Sequence, residues 1–238
     1  MENKAAHRAL YDTIAAESEN YDAFLKMDAD MVFRDNDCLV KMVTELKSDM
    51  ETDVMIWPVL DFFSNSNIYG ISMFSGRVRW PADIPDVFVD PPPVFPGRQV
   101  SHPRDVWVPV AHAPLSCARQ AFEFGVHRGL KAFAADTGRG ILPGASLFQI
   151  RILIRVWKAF RASGDQTRAL AILGAEYVRR GRVGTFCYKN NQQLDLLFTE
   201  ARQLSKREVV AMCRPFWSWR APFLFGLGWV RDRVLARF

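Results

Sequence analysis

Long apolar runs are missing from this 238-residue chain. No stretch approaches the ~20 apolar residues that a membrane-spanning helix needs. Nothing at the start reads as a secretory signal either, because Glu2, Lys4, His7 and Arg8 interrupt any apolar run there. Cysteine is scarce and scattered: Cys38, Cys117, Cys187 and Cys213 form neither a CxxC pair nor a Cys/His cluster. That spacing argues against a disulfide framework or a zinc site and predicts reduced thiols in a cytoplasmic protein, soluble or peripheral at the inner membrane face. Internal repeats and low-complexity tracts are absent too. What is present is a 49% hydrophobic, 13% aromatic composition, which predicts a folded protein of one large or two small domains.

The net charge of +5 conceals an asymmetry. Residues 1–100 hold 9 Lys/Arg against 17 Asp/Glu, whereas residues 101–238 hold 22 against 9. An acidic front half suits a metal site, and a basic rear half suits phosphate-bearing partners or an anionic membrane surface.

Residues 3–18 have the spacing of an amphipathic helix, with Ala6, Leu10 and Ile14 on one stripe. A strand over 21–27 follows, then a helix capped by Asp35 or Asn36 whose apolar face is Leu39, Val43 and Leu46. Residues 53–60, DVMIWPVL, read as a buried strand that Pro58 pushes toward a sheet edge, and 68–74 as another strand. Seven prolines between 81 and 104 exclude regular helix and central strand, leaving a long loop packed over something by its own apolar residues. A strand over 106–111 ends it, and from Pro114 onward the pattern is helical, with Asp165 a helix cap. The layout is α/β over 1–112 and helical over 113–238.

The chemistry concentrates in Tyr21 to Phe33, YDAFLKMDADMVF. An apolar strand delivers Asp28 and Asp30 into a loop, where two carboxylates one residue apart can converge on a hard cation. Oxygen ligands of this kind suit Mg²⁺ or Mn²⁺, which neutralise substrate phosphates. His112, at the junction of the strand and helix predicted around 110–114, is the candidate third ligand, with His102 a weaker rival. Asp83 and Asp86 in the proline-rich loop are candidates for a base that takes an acceptor's proton, and Asp105 competes with them. Lys4 and Arg8 at one end, and Arg119, His127, Arg128 and Lys131 at the other, are cations able to face a diphosphate or simply to line a solvated helix.

The run from the first helix through LKMDADMVF resembles a nucleotide-sugar glycosyltransferase of the GT-A fold over about residues 1–75. The resemblance implies a Rossmann-type partial sheet followed by a mainly helical region. It also implies that Asp28 and Asp30 carry Mn²⁺ or Mg²⁺ to the donor diphosphate, and that the acceptor is a sugar or a lipid-linked molecule. Members of that family have two or three βα units before the Asp-x-Asp loop, so the resemblance places the nucleoside-binding half upstream of Met1, in an N-terminally shortened form. The family's downstream Glu-Asp pair and its Gln-x-x-Arg-Trp motif are absent; Gln149 and the run Arg155-Val-Trp157 only distantly echo the latter.

Two other functions compete. A haloacid-dehalogenase-type phosphatase also places Asp-x-Asp after a strand, with Asp28 as nucleophile and Asp30 as acid. A non-catalytic peripheral membrane or interaction protein would use residues 214–238, where Phe216, Trp217, Trp219, Phe223, Phe225 and Trp229 are interleaved with five arginines. Such a segment suits an anionic membrane surface. No nucleic-acid recognition motif accompanies the basic rear half, and no nucleic-acid partner is expected.

Overall fold

The computed structural model describes residues 2–78, 100–101, 107–133, 144–184 and 192–235, in a mixed α/β arrangement. The chain divides into two compact units, one of residues 1–62 and 67–114, the other of residues 63–66 and 115–238.

The first unit opens with helix α1 (Glu2–Glu17), followed by strands β1 (Ala23–Lys26) and β2 (Met31–Phe33). Helix α2 (Cys38–Ser48), strands β3 (Val54–Asp61) and β4 (Ser66–Ser75), and the short strands β5 (Val100–Ser101) and β6 (Val110–His112) complete it. The sheet order is β1-β4-β3-β6-β2, with β5 also paired to β3. β1 runs antiparallel to β4 and β2 antiparallel to β6, whereas β5 and β6 lie parallel to β3. A mixed sheet of this kind needs cover, and Val54, Trp57, Val59, Ile71 and Met73 are all buried in it.

β3 is therefore central, not the edge strand that Pro58 suggests. Its parallel partner β5 meets it at Val54 and Met55, and β6 meets it from Val59 to Asp61. Pro58 falls in the gap between those two short partners, where a missing N–H breaks neither parallel ladder. The proline-rich stretch likewise accommodates β5 between Pro96 and Pro103, because two residues suffice to pair. β6 starts later than expected, directly after Pro109, whose carbonyl accepts from the Arg34 amide at 2.9 Å.

Along α2 the buried line is Cys38, Met42 and Leu46, while Leu39 and Val40 are exposed. The expected face through Leu39 and Val43 is displaced by one residue, about 100° around the axis. Asp37 precedes the helix and makes no side-chain capping bond; it pairs with Lys41 at 2.6 Å instead. Glu45 accepts from the indoles of Trp57 and Trp107, at 3.1 and 3.2 Å, and so ties α2 to the sheet.

The second unit is helical: α3 (Ala118–Phe133), α4 (Gly144–Ser163), α5 (Gln166–Arg179), α6 (Gln192–Gln203), α7 (Lys206–Arg214), a π-helical segment (Pro215–Arg220) and α8 (Ala221–Leu235). Asp165 caps α5 by accepting from the Arg168 amide at 2.9 Å, and Ser205 with Glu208 forms a capping box on α7. α5 is the centre of the bundle, buried from Ala169 to Val178. It packs on α3 through glycine: a Cβ on Gly125 would sit 1.7 Å from the Ala171 carbonyl oxygen, and one on Gly174 would sit 2.3 Å from that of Phe122. Glu176, fully buried, is balanced by Arg179 and Arg180 and accepts from the Trp217 indole at 3.1 Å. Among the described residues, no helix is long and apolar enough to cross a membrane.

Candidate functional site

The Asp-x-Asp stretch is a tight connection between two strands. β1 ends at Lys26, the Met31 amide donates to the Asp28 carbonyl at 3.0 Å, and the chain enters β2. β2 then pairs with β6 so that Met31 lies opposite His112. The Ala113 amide donates to the Asp30 carbonyl at 2.8 Å, extending that pairing by one residue. Ala113 takes φ +57°, a left-handed conformation that costs a residue with a Cβ. The main chain thus fixes Asp30 beside His112, although 82 residues separate them in sequence.

β3 supplies the third group. Asp61 is the last residue of β3, in parallel register with His112 of β6, and the Phe62 amide donates to the His112 carbonyl at 3.1 Å. The Asp61 carboxylate is fully buried and lies 2.8 Å from His112 Nδ1. With Asp61 ionised its carboxylate can only accept, and Nδ1 would then carry the proton of that bond. His112 Nε2 then faces Asp30 Oδ2 at 3.4 Å.

That last distance is informative. It exceeds the 2.7–3.2 Å of an ordinary N–H···O bond. It is also longer than the ~3.0 Å between neighbouring ligands of an octahedral cation with metal–ligand bonds of ~2.1 Å, so the two groups would draw together to share one. A metal-ligating histidine commonly has its other ring nitrogen held by a carboxylate, as Asp61 holds Nδ1 here, and an ion-paired histidine without a metal has the same geometry. One oxygen and one nitrogen donor fit Mn²⁺ better than Mg²⁺, because imidazole ligation favours transition metals. Asp30 is 42% exposed at its side chain and His112 only 10%, so solvent reaches the pair from the Asp30 side.

The other expected site residues are distributed differently. Asp28 is exposed on the same turn, and its carboxylate is not gathered with Asp30 and His112 at the 4.8 Å spacing of a closed cluster. Arg8 is exposed on α1, 3.9 Å from Asp12. Asp83, Asp86, His102, Asp105 and the side chain of Lys4 lie outside the described residues. In the second unit, Arg119 pairs with Glu123 and Asp195, and Arg128 donates to Gln149 at 2.9 Å while lying over the Phe124 ring. Among the described residues, the one group of three ligand-bearing side chains whose ligand atoms all lie within 4.8 Å of one another is Asp35, Asp37 and Cys38, of which the two carboxylates are exposed.

Asp61 is the residue that sequence reasoning passed over. Its one signal is an Asp closing the buried run VMIWPVL, an unusual end for an apolar strand. The chain matches no family model, no curated protein and no solved structure.

Proposed function

We propose that the chain is a metal-dependent glycosyltransferase of GT-A-like fold that takes a sugar from a nucleotide-diphosphate donor. The observation that carries this reading is the Asp30–His112–Asp61 line at the mouth of the Asp-x-Asp turn. The element order of helix, apolar strand, Asp-x-Asp turn and returning strand supports it as well. Asp30 and His112 Nε2 would hold Mn²⁺, with Mg²⁺ second, and Asp28 would join from the solvent side of the turn. The cation supplies charge neutralisation for the departing diphosphate.

The remaining work falls to the chain's own side chains. Asp61 keeps the His112 proton on Nδ1 and holds the ring so that Nε2 points outward. Asp30 would hold the ion that meets the donor diphosphate, with Asp28 as a further candidate ligand, and Lys4 and Arg8 are candidates for further donor contacts. Asp83 or Asp86 would accept the proton of the attacking acceptor hydroxyl. The acceptor would be a sugar or lipid-linked molecule, in the cytoplasm or at the inner membrane face. The phosphatase alternative is less well supported, since it makes Asp28 the nucleophile whereas the buried His–Asp pair converges on Asp30.

Calorimetry of the full chain with a panel of nucleotide-diphosphate sugars, with Mn²⁺ and with chelator, tests the proposal. Donor binding that requires Mn²⁺ and falls at least about tenfold in Asp30→Ala is expected. Absence of donor binding, together with trapping of an acyl phosphate on Asp28, would replace it by the phosphatase.

A further inference from the structure

The last three helical segments present two unlike sides. On one side Phe216, Trp217 and Ala221 are buried. The Trp217 indole donates to Glu176, and the Trp157 indole donates to the Ser218 hydroxyl at 2.9 Å. Further along, a Cβ on Gly228 would lie 2.4 Å from a methyl of Leu147, so α8 approaches α4 closely there. This side is docked on the helical unit.

On the other side stand Trp219, Phe223 and Leu227, at 68%, 65% and 54% exposure. Their spacing of four residues each aligns them in one stripe along the helix. Three large apolar side chains on one exposed stripe form a contiguous apolar patch, and such patches rimmed by polar residues mark interaction sites. The charge of this segment is mostly positive: residues 209–238 hold five arginines and one carboxylate, Asp232. Arg214 and Arg220 are exposed, Arg220 stands three residues before Phe223, and position 231 comes four after Leu227. Basic positions therefore bracket the apolar stripe along its length.

We infer that this stripe docks the protein on an anionic phospholipid surface, with α8 lying in the plane of the interface. Trp219, Phe223 and Leu227 enter the headgroup–acyl boundary, and the exposed Arg214 and Arg220 contact lipid phosphates. A second copy of the chain is the poorer occupant, since it would bring two arginine-rich faces together. Single-stranded nucleic acid is also poorer, because Leu227 offers no aromatic face for a base to stack on. Among the described residues no helix is long and apolar enough to cross a membrane, so the contact is superficial. The inference is independent of the proposed reaction, and its test uses neither donor nor metal.

The test is co-sedimentation of the full chain with vesicles of phosphatidylcholine alone and of phosphatidylcholine carrying about a third phosphatidylserine. Binding to the anionic vesicles is expected, at least about tenfold weaker on the neutral ones. In Phe223→Ser/Leu227→Ser it should fall about tenfold or more, with circular dichroism and thermal unfolding unchanged. Arg220→Gln, which removes one exposed charge without touching the stripe, should weaken binding severalfold at low salt and less at high salt. Binding to neither vesicle, or equal binding by the double variant, would overturn the inference. So would a dimer, or oligonucleotide binding, that the double variant loses in the absence of vesicle binding.

Discussion

Replacing Asp61 with Asn separates a metal ligand set from an ordinary buried ion pair. Asn keeps the size of the side chain and an oxygen that can accept from His112 Nδ1, 2.8 Å away, but removes the negative charge. If His112 Nε2 binds a cation, that charge makes the imidazole a stronger donor, and losing such an outer partner weakens metal binding by 10- to 100-fold. This corresponds to about 1.4–2.7 kcal/mol of binding free energy. The Asn amide must also find acceptors in a fully buried position, which costs about 1–3 kcal/mol of folding stability. Mn²⁺ affinity is therefore measured by calorimetry at 25 °C on protein whose fold is checked by circular dichroism. Asp35→Asn/Asp37→Asn, in the exposed cluster before α2, serves as the control and should leave the affinity unchanged. A folded Asp61→Asn chain that binds Mn²⁺ within about twofold of wild type would refute the role given to the pair. Loss of binding in the Asp35/Asp37 control would move the site to α2.

Three further outcomes follow from the packing and charge. Gly125→Ala forces α3 and α5 apart, since its Cβ would stand 1.7 Å from the Ala171 carbonyl oxygen; a loss of about 3 kcal/mol in urea unfolding is expected, and an unchanged midpoint would contradict the close approach. Ala113→Gly relieves a φ of +57° and should raise stability by about 0.5 kcal/mol in the same assay, with a loss contradicting the strain. Glu200 accepts from Tyr177 at 2.9 Å and from the two terminal Arg182 nitrogens at 2.7 Å each, and the Arg182 guanidinium holds its carboxyl below the usual range. A depressed carboxylate contributes stability that is complete above about pH 4.5 and is lost as pH falls through the lowered value. The gap in urea midpoint between wild type and Glu200→Gln should accordingly narrow on acidification from pH 7 to about pH 3, and a constant or widening gap would contradict the assignment.

Local features were legible in the sequence where local physics determines them. The apolar approach to Asp28, the Asp165 cap and the change from mixed to helical character are all set by neighbours within a few residues. The partnership of Asp30 with His112 could be anticipated in kind, because His112 closes a strand before a helix, but not in distance. That distance depends on β2 and β6 pairing with Met31 opposite His112, a register no local pattern specifies. Asp61 was invisible for the same reason: its value comes from the parallel register of β3 with β6 across 51 residues. Pro58 misled because the rule for proline concerns missing hydrogen bonds, and the gap between β5 and β6 is a tertiary fact. α2 offers two apolar stripes one residue apart, and only packing selects the line through Cys38, Met42 and Leu46.

Whether His112 binds the cation is open to direct observation by pulsed electron paramagnetic resonance of the Mn²⁺-loaded chain. Coupling of bound Mn²⁺ to an imidazole nitrogen is expected, present in the Asp35→Asn/Asp37→Asn control and absent from His112→Ala. Bound Mn²⁺ without nitrogen coupling, or coupling that persists in His112→Ala, would contradict a centre built on Asp30 and His112.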